Sequence, residues 1–302
     1  MVTFSQIFEY LHDSSFNRKT FGFKPSSNII KWRLTDLITI VVLIISYTFI
    51  WRIEPFQRQF YLNDITIQHP FAERERVNVQ ELFIYACIVP LITVIAVGIL
   101  ITKPKYKIYN TYVALVGLFL SVLITGAFTD LIKNYIGRHR PDFLARCVPK
   151  KDTPVDILVF AKDVCTSTDH AKLMDGFRTT PSGHSSLSFA GLFYLTLWLL
   201  GQFVSSDHSV GMGRSLVCGI PSLGALLIAL SRTEDYRHHF VDVVIGSLIG
   251  VGVASWSYFR LFPSLKHELC YYNWFIISQE EDIKEVQPED ISYTSFSYNE
   301  TV

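Results

Sequence analysis

Six apolar stretches, each close to a bilayer in length, constrain this chain more than any other feature. They cover residues 36–53, 82–102, 109–132, 184–204, 214–231 and 240–261, and each approaches the roughly 20 residues that a helix needs to cross a membrane. Charged residues make up 18% of the chain and hydrophobic ones 49%, whereas a soluble protein of this size carries about 25% charged residues. The deficit is concentrated in the apolar runs. Composition therefore predicts an all-α, polytopic membrane protein with six transmembrane helices. Its expected parts are an N-terminal arm (1–35), a membrane domain (36–262) and a tail (263–302). The first 35 residues hold scattered Arg and Lys but no compact apolar core, so the first span reads as an anchor and not as a leader peptide. The tail is acidic, rich in Ser, Thr and Tyr, and lacks a hydrophobic period; it is expected to be disordered or loosely attached. Formal net charge is zero, so no global field favours nucleic acid, and recognition of any anion must be local.

An even number of spans puts both termini on one side. The second connection carries Lys103, Lys105 and Lys107, and the N-terminal arm carries Arg18, Lys19, Lys24, Lys31 and Arg33. By the positive-inside rule these segments are cytoplasmic, as is the tail with its Asn299-Glu300-Thr301 sequon, which should then stay unmodified. Three polar motifs fall on the opposite face. They are Lys133-(six residues)-Arg140-Pro141, Pro181-Ser182-Gly183-His184, and Ser231-Arg232-(five residues)-His238-(three residues)-Asp242. The long third connection is also rich in Lys and Arg, against the charge rule, but several of its cations have a chemical use.

Lys133 and Arg140 stand seven residues apart, nearly two turns of a continuing helix, and share one face; Pro141 then ends the segment at Arg140. Arg232 adds a planar fork suited to two phosphate oxygens. Taken singly, each cation reads as an interfacial charge snorkelling from a helix end; as a spaced set they read as a phosphate cradle. Thr180 caps a helix with Pro181 at its first position, and free N–H groups there bind anions. Gly183 lets a phosphate come close and the Ser182 hydroxyl adds a donor. His238 and Asp242, four apart, suit a carboxylate that orients an imidazole and leaves its other nitrogen basic; the competing reading is a purely structural His–Asp bond. His184 is then the general acid. His239, adjacent but without the four-residue relation, is secondary. Gly246 and Gly250 are expected to permit close helix packing. Of five cysteines, Cys147 and Cys165 share one polar loop and can form a disulfide if that loop faces an oxidising compartment. No CxxC or zinc-ligand spacing occurs, and no metal site is expected.

At these residues the chain resembles the type 2 phosphatidic acid phosphatase (lipid phosphate phosphatase) superfamily, whose three motifs KxxxxxxRP, PSGH and SRxxxxxHxxxD are all present without substitution. The segments around Pro55-Phe56, His69-Pro70-Phe71, Arg140-Pro141-Asp142-Phe143 and Gly176-Phe177-Arg178-Thr179-Thr180 are similar to the fungal diacylglycerol pyrophosphate phosphatases. The resemblance spans residues 30–262. It implies a six-helix phosphatase core with its site at the non-cytoplasmic surface, no cofactor and no Mg²⁺ requirement. It implies phosphate binding by Lys133, Arg140, Ser182, Gly183 and Arg232, with His238 as nucleophile, His184 as acid and Asp242 orienting His238. Implied substrates are the membrane phospholipids diacylglycerol pyrophosphate, phosphatidate and lysophosphatidate, and the implied location is the vacuolar membrane with the site facing the lumen. The motifs contact only a phosphoryl group, so sphingoid-base phosphates and polyprenyl pyrophosphates remain alternatives. A non-enzymatic lipid-binding scaffold is disfavoured by the intact His184, His238 and Asp242, and a transporter by charges at span ends instead of mid-span. Topology also puts the first connection, around Phe56, Tyr61 and Phe71, on the side where it can cover the site.

Overall fold

The computed structural model describes residues 28–286 of the 302-residue chain. Six apolar helices form a bundle: α1 (Leu34–Ile50), α2 (Val79–Ile101), α3 (Lys107–Ile136), α4 (residues 183–202), α5 (Met212–Glu234) and α6 (Phe240–Leu261). A further helix, α7 (Trp274–Val286), follows. Each coincides with an apolar run or, for α7, lies beyond the last one. Among the described residues, four helices (α2, α3, α5 and α6) are long and apolar enough to cross a membrane, while α1 has 17 residues. The α4 helix begins with the polar run Gly183-His184-Ser185-Ser186, because its first turns belong to the site and not to lipid.

Helices are the form that satisfies every backbone N–H and C=O without water. Their outward faces carry exposed Ile38, Val41 and Ile45 on α1, Ile92 and Ile99 on α2, and Leu216, Ile220, Leu223 and Leu227 on α5. The three- and four-residue spacing puts each set on one stripe. Inside, Val113, Leu118, Tyr194, Trp198, Tyr258 and Leu261 form the main core around α4. Against lipid, apolar burial alone gives helices little reason to associate, and small residues with interhelical hydrogen bonds supply it. A Cβ at Gly246 would meet the Ser182 carbonyl oxygen at 2.4 Å, and one at Gly250 the Ser186 carbonyl oxygen at 2.3 Å. The expected packing glycines are thus what seats α6 against α4. Ser121 and Ser257 hydroxyls donate to the Ala190 and Gly117 carbonyls at 2.8 and 2.7 Å, and Tyr194 donates to Ala114 at 2.9 Å.

Two expectations about chain ends change. The α3 helix stops at Ile136, not at Arg140, because Gly137 takes the left-handed conformation (φ 60°) and donates its N–H to the Lys133 carbonyl; this is a glycine-specific helix stop. The segment up to Glu280 is held to the bundle instead of being loosely attached: Tyr272, Ile276 and Ile277 bury against Tyr106 at the start of α3, the Tyr106 hydroxyl donates to Glu280, and Asn110 donates to the Tyr271 carbonyl at 2.8 Å. The residues after 286, with Asn299, and those before 28 lie outside the described residues.

At the opposite end of the bundle, the 137–182 connection folds over the helix tips. Three short helical turns, Phe143–Cys147, Ala161–Val164 and His170–Asp175, surround a cluster of Phe60, Phe143, Val159, Met174 and Phe177. Cys147 and Cys165 are bonded to each other. The connection between α1 and α2 closes this cap. Phe71 sits against the cations of Lys172, Arg237 and Arg146 at 3.8, 4.2 and 4.9 Å, whereas Phe56 and Tyr61 remain exposed.

Candidate active site

The ends of α1, α3 and α5 and the starts of α2 and α4 converge under this cap on a cavity of about 210 Å³. Lys133, Arg140, Gly183, His184, Arg232 and His238 all line it. The three sequence motifs, 109 residues apart from Lys133 to Asp242, are brought together because the ends of α3 and α5 and the start of α4 lie on one side of the bundle.

The positive part of the cavity is built piece by piece. Lys133 lies on the last turn of α3, and its Nζ comes within 2.9 Å of where a Cβ at residue 183 would be. Glycine at 183 therefore leaves the room that the ammonium occupies at the start of α4. Arg140 reaches the same cavity after the Gly137 reversal. Its guanidinium donates to the Asp175 carboxylate at 2.8 Å, to the Asp175 carbonyl at 2.9 Å and to the Arg237 carbonyl at 3.2 Å. Arg232, 1% exposed, donates to Glu75 at 2.7 Å and to Asp235 at 2.6 Å. These fixed forks leave little side-chain entropy to lose when an anion binds.

His238 is buried at 3% exposure. Its Nδ1 lies 2.7 Å from the Thr179 carbonyl oxygen. A carbonyl only accepts, so Nδ1 carries the proton and Nε2 is left with a free lone pair. Burial above all, then the charges of Arg140 and Lys133, holds this imidazole well below its ordinary 6.5, so it stays neutral at physiological pH. The other cavity imidazole, His184, has a buried Nε2 with no hydrogen-bond partner among the described residues.

Two expected site residues lie behind the cavity wall. The Ser182 hydroxyl does not face an incoming phosphate. Ser182 is fully buried and is itself the helix cap, accepting from Ser185 N at 3.4 Å and Ser185 Oγ at 2.9 Å; α4 starts at Gly183, and neither Thr180 nor Pro181 has the capping position predicted for it. Asp242 does not bond His238. It accepts from Thr179 Oγ1 at 2.7 Å, from the Thr180 hydroxyl, and from the His239 N–H at 2.9 Å, with His239 Nδ1 and Arg138 Nη1 each 3.2 Å away. The reason is local: α6 begins at Phe240 with His239 as its cap and Asp242 closing a capping box. His238 therefore lies outside the helix, and the four-residue spacing does not bring it to the carboxylate. Thr179 connects the two, with its carbonyl on His238 and its hydroxyl on Asp242.

The sequence reading missed the carboxylates. Asp130, held by the Tyr47 hydroxyl at 2.6 Å, stands 3.9 Å from Lys133. Asp175 sits between Arg140 and Arg146, and Glu75 between Arg232 and Arg237. Each cation of the motifs thus faces a carboxylate across the same cavity. Burial would push the Asp175 carboxyl up, but Arg140, Arg146 and Lys133 outweigh it and hold the group at about 2. Arg178 also lines the cavity and was not foreseen as a site residue. No spacing signal identifies Glu75, which meets Arg232 across 157 positions; Asp130, one turn before Lys133, was within reach of an i,i+3 argument.

The sequence pattern of the PAP2 superfamily matches residues 114–264. Diacylglycerol pyrophosphate phosphatase 1 of Saccharomyces cerevisiae is 48% identical over 255 residues, covering 84% of this chain and 88% of that protein. Lipid phosphate phosphatase 1 of Arabidopsis thaliana is 33% identical over 251 residues, covering 82% of this chain and 74% of that protein. Lipid phosphate phosphatase 2 of the same plant is 34% identical over 244 residues, covering 78% and 79%. No solved structure matches the chain. With its motif residues gathered on one cavity and these relatives aligned over most of its length, this chain belongs to the PAP2 superfamily.

Proposed function

We propose that this protein is a lipid phosphatase that hydrolyses diacylglycerol pyrophosphate to phosphatidate and phosphatidate to diacylglycerol. The observation that carries this reading is the neutral, buried His238, its Nδ1 committed to the Thr179 carbonyl, in a cavity shared with Lys133, Arg140, Arg232 and a second histidine. The three cations hold the terminal phosphoryl group and offset its charge. His238 Nε2 attacks phosphorus in line, the P–O bond to the lipid breaks, and the departing oxygen takes a proton from His184. Water then attacks the phosphohistidine with His184 accepting its proton; the P–N bond breaks and phosphate leaves. Asp242 acts at a distance, fixing Thr179 and hence the orientation of His238.

The six helices all span in this reading, α1 and α4 included, with both termini cytoplasmic and the cavity on the far side. The Cys147–Cys165 bond within the connection that folds over the helix tips fits an oxidising compartment there, and the family resemblance favours the vacuolar lumen. The apolar cavity wall of Tyr47, Ile50, Val79, Leu82 and Leu187 suits a substrate whose tails stay in the bilayer.

The test is phosphate release by detergent-purified protein in excess EDTA, with diacylglycerol pyrophosphate and phosphatidate side by side and His238→Ala as the matched control. Release that is lost in His238→Ala together with acid-labile phosphoenzyme is expected. A His238→Ala protein that still turns over either lipid would end the nucleophile assignment, and folded wild-type protein inactive on both would end the substrate assignment.

A further inference from the structure

Four cations line the cavity, and one of them does something different from the other three. Lys133, Arg140 and Arg232 each face a carboxylate and are the cations of the shared motifs. Arg178 has no carboxylate within 4.0 Å among the described residues and belongs to no motif. Its Nη2 donates to the Ile53 carbonyl at 2.8 Å, just past the end of α1, and its guanidinium stands 5.9 Å from the Trp51 ring. Its Nε is buried and has no hydrogen-bond partner. A buried guanidinium N–H without an acceptor is costly and marks a place where an acceptor is expected.

Position says which acceptor. Arg140 and Arg232 bond the segment that carries His238, at the Arg237 carbonyl and the Asp235 carboxylate, whereas Arg178 bonds the end of α1 at the Ile53 carbonyl. Beyond Arg178 lies the apolar wall of Tyr47, Ile50 and Trp51 at the end of α1. A substrate attacked at its terminal phosphorus by His238 must lie along this line: terminal phosphate on Arg140 and Arg232, then the leaving group, then the lipid tails. In a monophosphate the leaving group at Arg178 is a neutral ester oxygen and glycerol. In a diphosphate it is a second phosphate, whose charge can neutralise the guanidinium that has no carboxylate beside it.

We propose that Arg178 forms a subsite for the inner phosphate of a diphosphate headgroup and sets the preference for diphosphate over monophosphate lipids. The proposal rests on the lipid-phosphatase reading and deepens it by naming the residue that recognises a diphosphate headgroup. Arg178 acts here by touching the substrate's leaving group, so its removal should change discrimination and leave the nucleophile intact. The competing role, a strap that pins the end of α1 through Ile53, would weaken all substrates alike.

The experiment compares wild type, Arg178→Gln and Arg178→Lys in detergent, each first checked for a monodisperse elution profile. The expected result is a drop of about tenfold or more in kcat/KM for diacylglycerol pyrophosphate in Arg178→Gln, as for loss of a charge-assisted hydrogen bond. Phosphatidate should change less than about threefold, and Arg178→Lys should recover part of the discrimination. Equal losses on both lipids, or none on either, would overturn the subsite. A binding measurement covers an Arg178→Gln protein that fails to fold and a wild type inactive on lipids. By calorimetry, wild-type protein should bind methylenediphosphonate about tenfold more tightly than inorganic phosphate, with Arg178→Lys showing a smaller ratio. Equal affinities in the wild type would refute the subsite whatever the lipid assays give, whereas tight bisphosphonate binding without lipid turnover would keep the subsite and reject the lipid assignment.

Discussion

Replacing Asp242 by Asn separates two accounts of the same carboxylate. As a direct partner of His238, it would leave stability untouched and lower kcat by about 10⁴, the scale of a histidine left in the wrong tautomer. The geometry gives a different answer. Asp242 is fully buried and accepts from two threonine hydroxyls and one backbone N–H. A hydrogen bond to a charged group contributes about 1 kcal/mol more than one to a neutral group. Removing the charge while keeping the shape therefore costs about 3 kcal/mol over three bonds, and the new amide N–H₂ must face donors. The expected outcome is a folded-state loss of that order, read as a shifted unfolding midpoint in detergent, with activity falling as Thr179 and His238 lose their anchor. A double-mutant cycle with Thr180→Val should return a coupling of about 1 kcal/mol or more, since the two side chains touch. An Asp242→Asn protein with an unchanged midpoint and a kcat lowered by orders of magnitude would refute the anchoring account and restore the direct one.

Acid should destabilise the cap through His139. Burial first holds its imidazole at about 4 despite a hydrogen bond to the Arg58 carbonyl. The unfolded chain therefore binds a proton that the fold refuses, and stability falls as pH drops from 6.5 to about 4, by about 3 kcal/mol from this residue; unfolding midpoints of wild type and His139→Gln across that range should converge at the acid end. Cys147 and Cys165 close a loop of 18 residues, worth about 3 kcal/mol of chain entropy, so a Cys147→Ser/Cys165→Ser protein should unfold earlier than wild type and no longer respond to reductant. Glu75 bridges Arg232 and Arg237 at 2.7 and 3.0 Å, and in the proposed mechanism it competes with a phosphate oxygen for Arg232. Glu75→Gln should tighten inhibition by inorganic phosphate roughly tenfold; unchanged inhibition would mean that this carboxylate does not compete with the anion.

The placement of helices and the identity of the motif residues were legible in the sequence because both are local. Apolar runs favour helix, which satisfies the backbone without water, and an apolar helix lies at each run, four of them long enough to cross a membrane. The alternation of span ends places the three motifs on one face, and the bundle gathers them on one cavity. Gly246 and Gly250 announced a close crossing through their spacing, although not which helix they would meet. Helix ends were less legible: Gly137 stops α3 one turn before the predicted point, and Ser182, not Thr180, caps α4. These outcomes turn on single dihedrals and on which hydroxyl finds a free N–H.

Partnership was decided by the tertiary structure alone. Thr180 meets Asp242 across 62 positions and Glu75 meets Arg232 across 157. A side chain's charge and length are written in the sequence, but its nearest neighbour depends on how helices far apart in the chain pack side by side. Hence the sequence supplied His238 and Asp242 as a pair, and the fold made Thr179 the link between them. It likewise supplied Arg178 as one cation among many, and only the meeting of the 137–182 connection with the end of α1 placed it in the cavity wall, bonded to Ile53 and with its Nε unpartnered. What the chain is made to do follows from residue types in local order; how each group is aimed follows from packing, because hydrogen bonds act over about 3 Å and the sequence does not measure that distance.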